Sequence, residues 1–85
     1  MSPIAVMDKF IGTNYNLWSI KMKMYLQSKN LWQCVENPKF ETAEDVIMSQ
    51  KAHAAIVLSL DDTQLLHVAS AANANEAWGG LASYH

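Results

Sequence analysis

The chain has 85 residues, of which 51% are hydrophobic and 16% charged, with a formal net charge of −2 and not one arginine. A chain this short forms one domain at most, with a core that buries about 60 to 65% of the unfolded surface. The apolar content excludes disorder, and the low charge is light for a free monomer and favours an assembling or truncated domain.

Residues 1–9 are expected to form a flexible N-terminal segment, and residues 10–85 one all-α domain, a small bundle of four to five short helices. The stretch FIGTNYNLW, Phe10 to Trp18, opens that domain. Gly12 is a turn residue. Thr13 or Asn14 is a candidate N-cap, because a side-chain oxygen there can accept a hydrogen bond from a free N–H of the first helical turn. A first helix then runs from about Tyr15 to Ser28. Tyr15, Trp18, Met22 and Tyr25 recur at steps of three and four, with Leu26 beside them, which is the spacing of one buried stripe. Phe10, Tyr15 and Trp18 around the glycine turn read most simply as a staple that closes this helix onto the core.

Asn30 stops the first helix or caps the next, a short turn through Leu31, Trp32 and Val35. Asn37-Pro38 breaks the chain, since proline disfavours the helical conformation in the residue before it. Thr42-Ala43-Glu44-Asp45 is close to a capping box, with Asp in place of the usual Glu, and opens the longest helix, to about Leu60. On it, Ile47, Ala54, Ala55 and Leu58 form a mostly small-residue face suited to close approach by another helix. Asp61 and Asp62 end that helix and start a fourth, Thr63 to about Ser70, with Leu65, Leu66 and Val68 facing inward. Asn73 to Glu76 outlines a second capping box, opening a fifth helix through Ala77, Trp78, Leu81 and Tyr84. Gly79-Gly80 costs about 1 kcal/mol per glycine in a helix interior, so the last helix is expected to fray or bend there. The expected core is Trp18, Met22, Leu26, Trp32, Ile47, Leu58, Leu65 and Trp78.

Charge is divided unevenly along the chain. Residues 1–40 carry +3 (Lys9, Lys21, Lys23, Lys29 and Lys39 against Asp8 and Glu36), and residues 41–85 carry −5 (Lys51 against Glu41, Glu44, Asp45, Asp61, Asp62 and Glu76). Such a division suits head-to-tail contact between copies. Without arginine the chain lacks the side chain best suited to bidentate base and phosphate contacts, so direct sequence-specific nucleic-acid binding is not expected. RNA affinity through scattered lysines is expected to be weak and lost at moderate salt. Cys34 is alone, which fits a reducing, intracellular and hence cytoplasmic setting. No signal peptide and no run long enough to span a membrane is visible.

Catalytic and metal-binding patterns are missing. His53, His67, His85 and Cys34 show no ligand spacing. Asp61-Asp62-Thr63 lacks the glycine of an aspartic-protease motif, and two adjacent carboxylates at a helix junction read as caps. No serine sits in an elbow, and no glycine-rich phosphate loop appears. Neither a cofactor nor a metal is expected, and the chain reads as no enzyme.

The order Phe10-x-Gly12-x-Asn14-Tyr15-x-x-Trp18, followed by Met22, Leu26 and Leu31-Trp32-x-x-Val35, resembles the N-terminal Gag region of copia-type long-terminal-repeat retrotransposons. So do Lys51-Ala52-x-Ala54-Ala55-Ile56-x-Leu58-Ser59-Leu60-Asp61-Asp62-x-Gln64-Leu65 and Glu76-Ala77-Trp78-x-x-Leu81. The resemblance implies a capsid-like helical domain, truncated at its C-terminal end. In the family this region self-associates, with other Gag segments, into a particle around element RNA. Gly79-Gly80 departs from the helix formers usual there. The alternative is a host-adopted module that binds a protein or peptide partner, for which a groove beside Tyr15, Trp18 and Trp32 would speak.

Overall fold

Four polar punctuation points, Asn30, Thr42, Asp61 and Asn73, divide the domain into helices. The computed structural model describes residues 9–85, so the expected flexible segment, Lys9 excepted, lies outside the described residues. The elements are α1 (Tyr15–Ser28), α2 (Gln33–Glu36), α3 (Ala43–Leu58), α4 (Asp62–Leu65) and α5 (Ala74–Tyr84), an all-α bundle. An isolated parallel bridge between Phe10 and Leu60 is the one strand-like pairing among the described residues.

The end of α1 and the starts of α3, α4 and α5 have a local chemical cause. Asn30 adopts the left-handed conformation, φ 59°, which asparagine tolerates better than most residues. Its N–H donates to the Gln27 carbonyl at 3.1 Å, and that of Leu31 to the Leu26 carbonyl at 2.7 Å. These two bonds make a Schellman cap, and the buried Leu26 and Leu31 supply its apolar contact. At α3 the capping box is complete: the Thr42 hydroxyl accepts from the Asp45 N–H at 3.0 Å, while the Asp45 carboxylate accepts from the Thr42 N–H at 3.1 Å. Asp61 caps α4, accepting the Thr63 hydroxyl at 2.9 Å. Asn73 caps α5 through the Glu76 N–H, but the Glu76 carboxylate reaches back to the Ala72 N–H and not to the cap residue.

Three local expectations are corrected. Asn14 holds the N-cap position of α1 without a side-chain bond into the helix; its side chain turns back instead, accepting from the Ile11 N–H at 3.0 Å and donating to the Lys9 carbonyl at 3.1 Å. The fourth helix ends at Leu65, and residues 66–70 continue as turns. The fifth runs unbroken through Gly79 and Gly80 to Tyr84. Gly80 packs against the turn after α4, where a Cβ would meet the His67 carbonyl oxygen at an ordinary contact distance of 3.5 Å. Tertiary packing there outweighs the poor helix propensity.

Trp18, Met22 and Leu26 of α1 are buried as their spacing predicts, together with Phe10, Ile56, Leu60 and Leu81. The expected α3 face is divided: Ala55 is buried as expected, but Ile47, Ala54 and Leu58 lie outside. Ser49, Ala52, Ala55 and Ile56 point inward, whereas Ile47 is 50% and Leu58 64% exposed. Small residues on that inner side and the fully buried Ala74 and Ala77 of α5 let the two helices approach closely. Trp32, Leu65 and Trp78, also expected in the core, pack against its edge and are only partly buried.

Trp18 joins the two halves of the chain. Its side chain is 1% exposed, and its indole N–H donates to the Ser59 hydroxyl at 2.9 Å, across 41 residues of sequence. Ser59 in turn donates to the Ile56 carbonyl at 2.7 Å, so every polar atom in this buried chain is satisfied. Trp18→Ala is expected to destabilise the domain by about 3 to 5 kcal/mol, enough to unfold so small a domain. Ser59→Ala, which strands the indole N–H, should cost about 1 to 3 kcal/mol in urea melts followed by circular dichroism.

The glycines separate by sign. Gly12 has φ 100°, and a Cβ there would fall 2.8 Å from the Gln64 side-chain nitrogen; around Gly79 there is nothing within 4 Å. Gly79→Ala is therefore expected to raise stability by up to about 1 kcal/mol, and Gly12→Ala to lower it by about 1 kcal/mol or more. The same urea melts check both, and a stabilised Gly12→Ala would contradict the turn geometry.

Candidate interaction surface

The aromatic side chains singled out in the sequence form one continuous row, and they form it mostly inside. Tyr15 meets Phe10 edge-on at 5.6 Å between ring centroids, Phe10 stacks on Trp18 at 5.2 Å, Trp18 stacks on Trp78 at 5.3 Å, and Trp78 meets Trp32 edge-on at 5.1 Å. Lys23 closes the row, its ammonium 5.1 Å from the Trp32 ring centroid. Trp18 is buried and Tyr15 and Trp32 are half-buried; the groove beside Tyr15 is otherwise lined by Gly12, Thr13, Asn14, Asn16, Leu17 and His85 and holds no second aromatic of the row. The staple reading of FIGTNYNLW is the one the packing supports: Phe10 is fully buried, and its N–H and carbonyl bond to the Ser59 carbonyl and the Asp61 N–H at 2.9 and 3.0 Å.

Of the family-motif residues, Phe10, Trp18, Met22, Leu26, Leu31, Leu60 and Leu81 come together in the core. Gly12, Asn14, Tyr15, Trp32, Asp61, Leu65 and Trp78 surround it at intermediate exposure. Leu58 stands apart, in solvent. Sequence reasoning missed Ser59 as the acceptor for Trp18, and Gln64, a buried amide under the Gly12 turn that receives the His85 ring nitrogen at 3.0 Å.

It also missed the surface with the clearest functional character. Leu17, Ile20 and Met24 on α1 are 64%, 61% and 62% exposed. Their steps of three and four form a second apolar stripe, opposite Trp18, Met22 and Leu26, with Lys21 and Lys23 beside it and no acid anywhere on the helix. A helix apolar on both sides is expected where both sides are covered. α3 has the same character, with Ile47, Ala54 and Leu58 outward. Between the end of α1 and α3 lies an open groove of about 600 Å³, lined by Tyr25, Lys29, Asn30, Leu31, Glu44, Met48, Lys51, Ala54, Ala55 and Leu58.

The remaining reactive groups are quiet. Cys34 is buried, and its thiol is pushed above the ordinary range first by burial and then by the nearby Asp45 charge. The Asp61 carboxyl is held below its ordinary range, chiefly by hydrogen bonds from Thr63. Among the described residues no three His, Cys, Asp or Glu side chains gather where a metal ion would sit, and no helix is long and apolar enough to cross a membrane.

Residues 22–85, well over half of the chain, match the family described as gag-polypeptide of LTR copia-type. The chain belongs to the copia-type Gag family. Comparisons with curated proteins and with solved structures return no match. The match takes in the second half of the Gag resemblance together with Met22, Leu26, Leu31 and Trp32, while Phe10 to Trp18 precede it. In this Gag region six of the exposed large apolar side chains lie on the outer faces of α1 and α3, namely Leu17, Ile20, Met24, Val46, Ile47 and Leu58.

A thiol that is buried and raised in pKa reacts slowly, because the thiolate is the nucleophile. Cys34 of the folded Gag region is expected to label with a maleimide or disulfide reagent at neutral pH at least about tenfold more slowly than a free cysteine. Unfolding in urea should restore the ordinary rate. Fast labelling of the folded chain would contradict the packing of α2.

Proposed function

We propose that this Gag region is a structural self-association unit, without a catalytic role, that contributes to assembly of a particle around element RNA. The observation that carries the proposal is the second apolar stripe on α1, Leu17-Ile20-Met24, exposed on a helix whose other side already fills the core. An exposed contiguous apolar patch marks an interaction site, and the occupant is another copy of the region or another Gag segment.

Magnitudes indicate a weak contact. The three side chains are already about two-fifths covered, so covering the rest yields about 3 to 6 kcal/mol at the usual 1.5 to 3 kcal/mol for a whole side chain, against an association cost of about 4 to 15 kcal/mol. A single interface of this size is therefore transient, and a stable particle arises from many of them together. The surface composition supports the same reading. The lysines beside the stripe can steer an acid-bearing partner face and make the encounter sensitive to salt.

Sedimentation velocity over a concentration series is the test. Wild-type chain is expected to self-associate below about millimolar concentration, and Leu17→Ser/Met24→Ser, on an exposed face, to remain folded and shift the equilibrium to monomer. A wild-type chain that stays monomeric to millimolar concentration would overturn the proposal.

A further inference from the structure

Leu66 is the most exposed large apolar side chain among the described residues, at 80%. It follows α4 in helical conformation, with φ −62° and ψ −28°. Asp62 precedes it by four positions, so the two side chains share one face of the same turn. Asp61 and Asp62 sit just before Leu66, with Lys9 near Asp61; Asp62 is exposed and is the acid that Leu66 carries with it.

The groove between α1 and α3 has the complementary chemistry. Leu31 and Ala55, both buried, lie at its base, and the exposed Lys29, Lys51 and Glu44 at its edge leave a net positive rim. At about 600 Å³ it has room for a leucine and part of the turn that carries it. The other exposed apolar groups fit it less well. The α1 stripe would bring Lys21 and Lys23 against Lys29 and Lys51, a juxtaposition of like charges that is costly in a contact. Phe40 sits between Lys39 and Glu41 and brings no net negative charge. Tyr84 already lies against His67, the ring centroids 3.7 Å apart and the planes tilted by 33°.

We propose that Leu66 of one copy seats in the α1–α3 groove of a second copy, with Asp62 meeting the lysines at its edge. This rests on the self-association reading above and gives it a direction. Knob and groove are different surfaces, so the contact is heterologous and each copy keeps a free knob or a free groove for the next. Growth by addition is the consequence, not a closed pair.

Two single-site variants of the full 85-residue chain separate the surfaces: Leu66→Asp removes the knob, and Ala54→Trp fills the groove. Both positions are exposed, and circular dichroism confirms that each variant folds. Methyl NMR of isotopically labelled Leu66→Asp chain, titrated with unlabelled Ala54→Trp chain, is expected to move the Leu31, Met48 and Ala55 methyls. Titration with the unlabelled double variant should leave those signals in place. Asp62→Lys in the knob-bearing copy is expected to weaken the titration about tenfold, with partial recovery when the labelled copy also carries Lys51→Glu. Groove methyls that stay still while Leu17, Ile20 or Met24 signals move would overturn the knob-and-groove contact and leave self-association standing. No movement at any methyl, with wild-type chain monomeric at millimolar concentration, would overturn both.

Discussion

The indole of Trp18 needs both an apolar site and a hydrogen-bond acceptor, and meeting both demands at once organises the fold. An unpaired indole N–H in the core would cost about 1 to 3 kcal/mol, a large share of the stability of a domain this small. Ser59 removes that cost, and to be in reach it must sit where α3 ends. The same backbone carbonyl of Ser59 accepts the Phe10 N–H, so the entering chain, α1 and the end of α3 meet at one point. Phe10 and Trp78 then close over the two faces of the indole. Pulling out this side chain removes a core volume, a cross-chain hydrogen bond and two stacked contacts together.

The inner contact of α3 with α5 follows a different rule. The inner side of α3 carries Ser49, Ala52 and Ala55 together with the fully buried Ile56, and α5 brings the buried Ala74 and Ala77; small side chains let packed helices approach closely. Ile47 and Leu58 lie on the other side of α3 and stay exposed.

Apolar area is left outside on α1 and α3, and also at Ile11, Phe40, Leu66 and Tyr84. A domain of this size fills its core before it has used all its apolar residues. Lysine-flanked surplus on α1 and a lysine-edged groove beside α3 contrast with the acidic turn around Asp61 and Asp62. An uneven distribution of this kind suits a subunit that meets others through unlike surfaces.

Local chemistry read from the sequence alone determined the helix count, the starts of α3, α4 and α5 at Thr42, Asp61 and Asn73, and the buried stripe of α1, because caps and periodicity act within one or two turns. The likeness to copia-type Gag was legible too, in the order of Phe10, Gly12, Tyr15, Trp18 and the later helices. Tertiary structure alone decided which face of α3 turns inward, burying Ala55 of the face read from sequence but leaving Ile47, Ala54 and Leu58 outside in favour of Ser49, Ala52 and Ile56. It also decided that Gly79-Gly80 stay helical, that Asn14 bonds backward to residues 9 and 11, and that Ser59 answers Trp18. Each of these choices depends on a neighbour distant in sequence, and a spacing rule confined to one helix has no access to the shape of the surface it will meet.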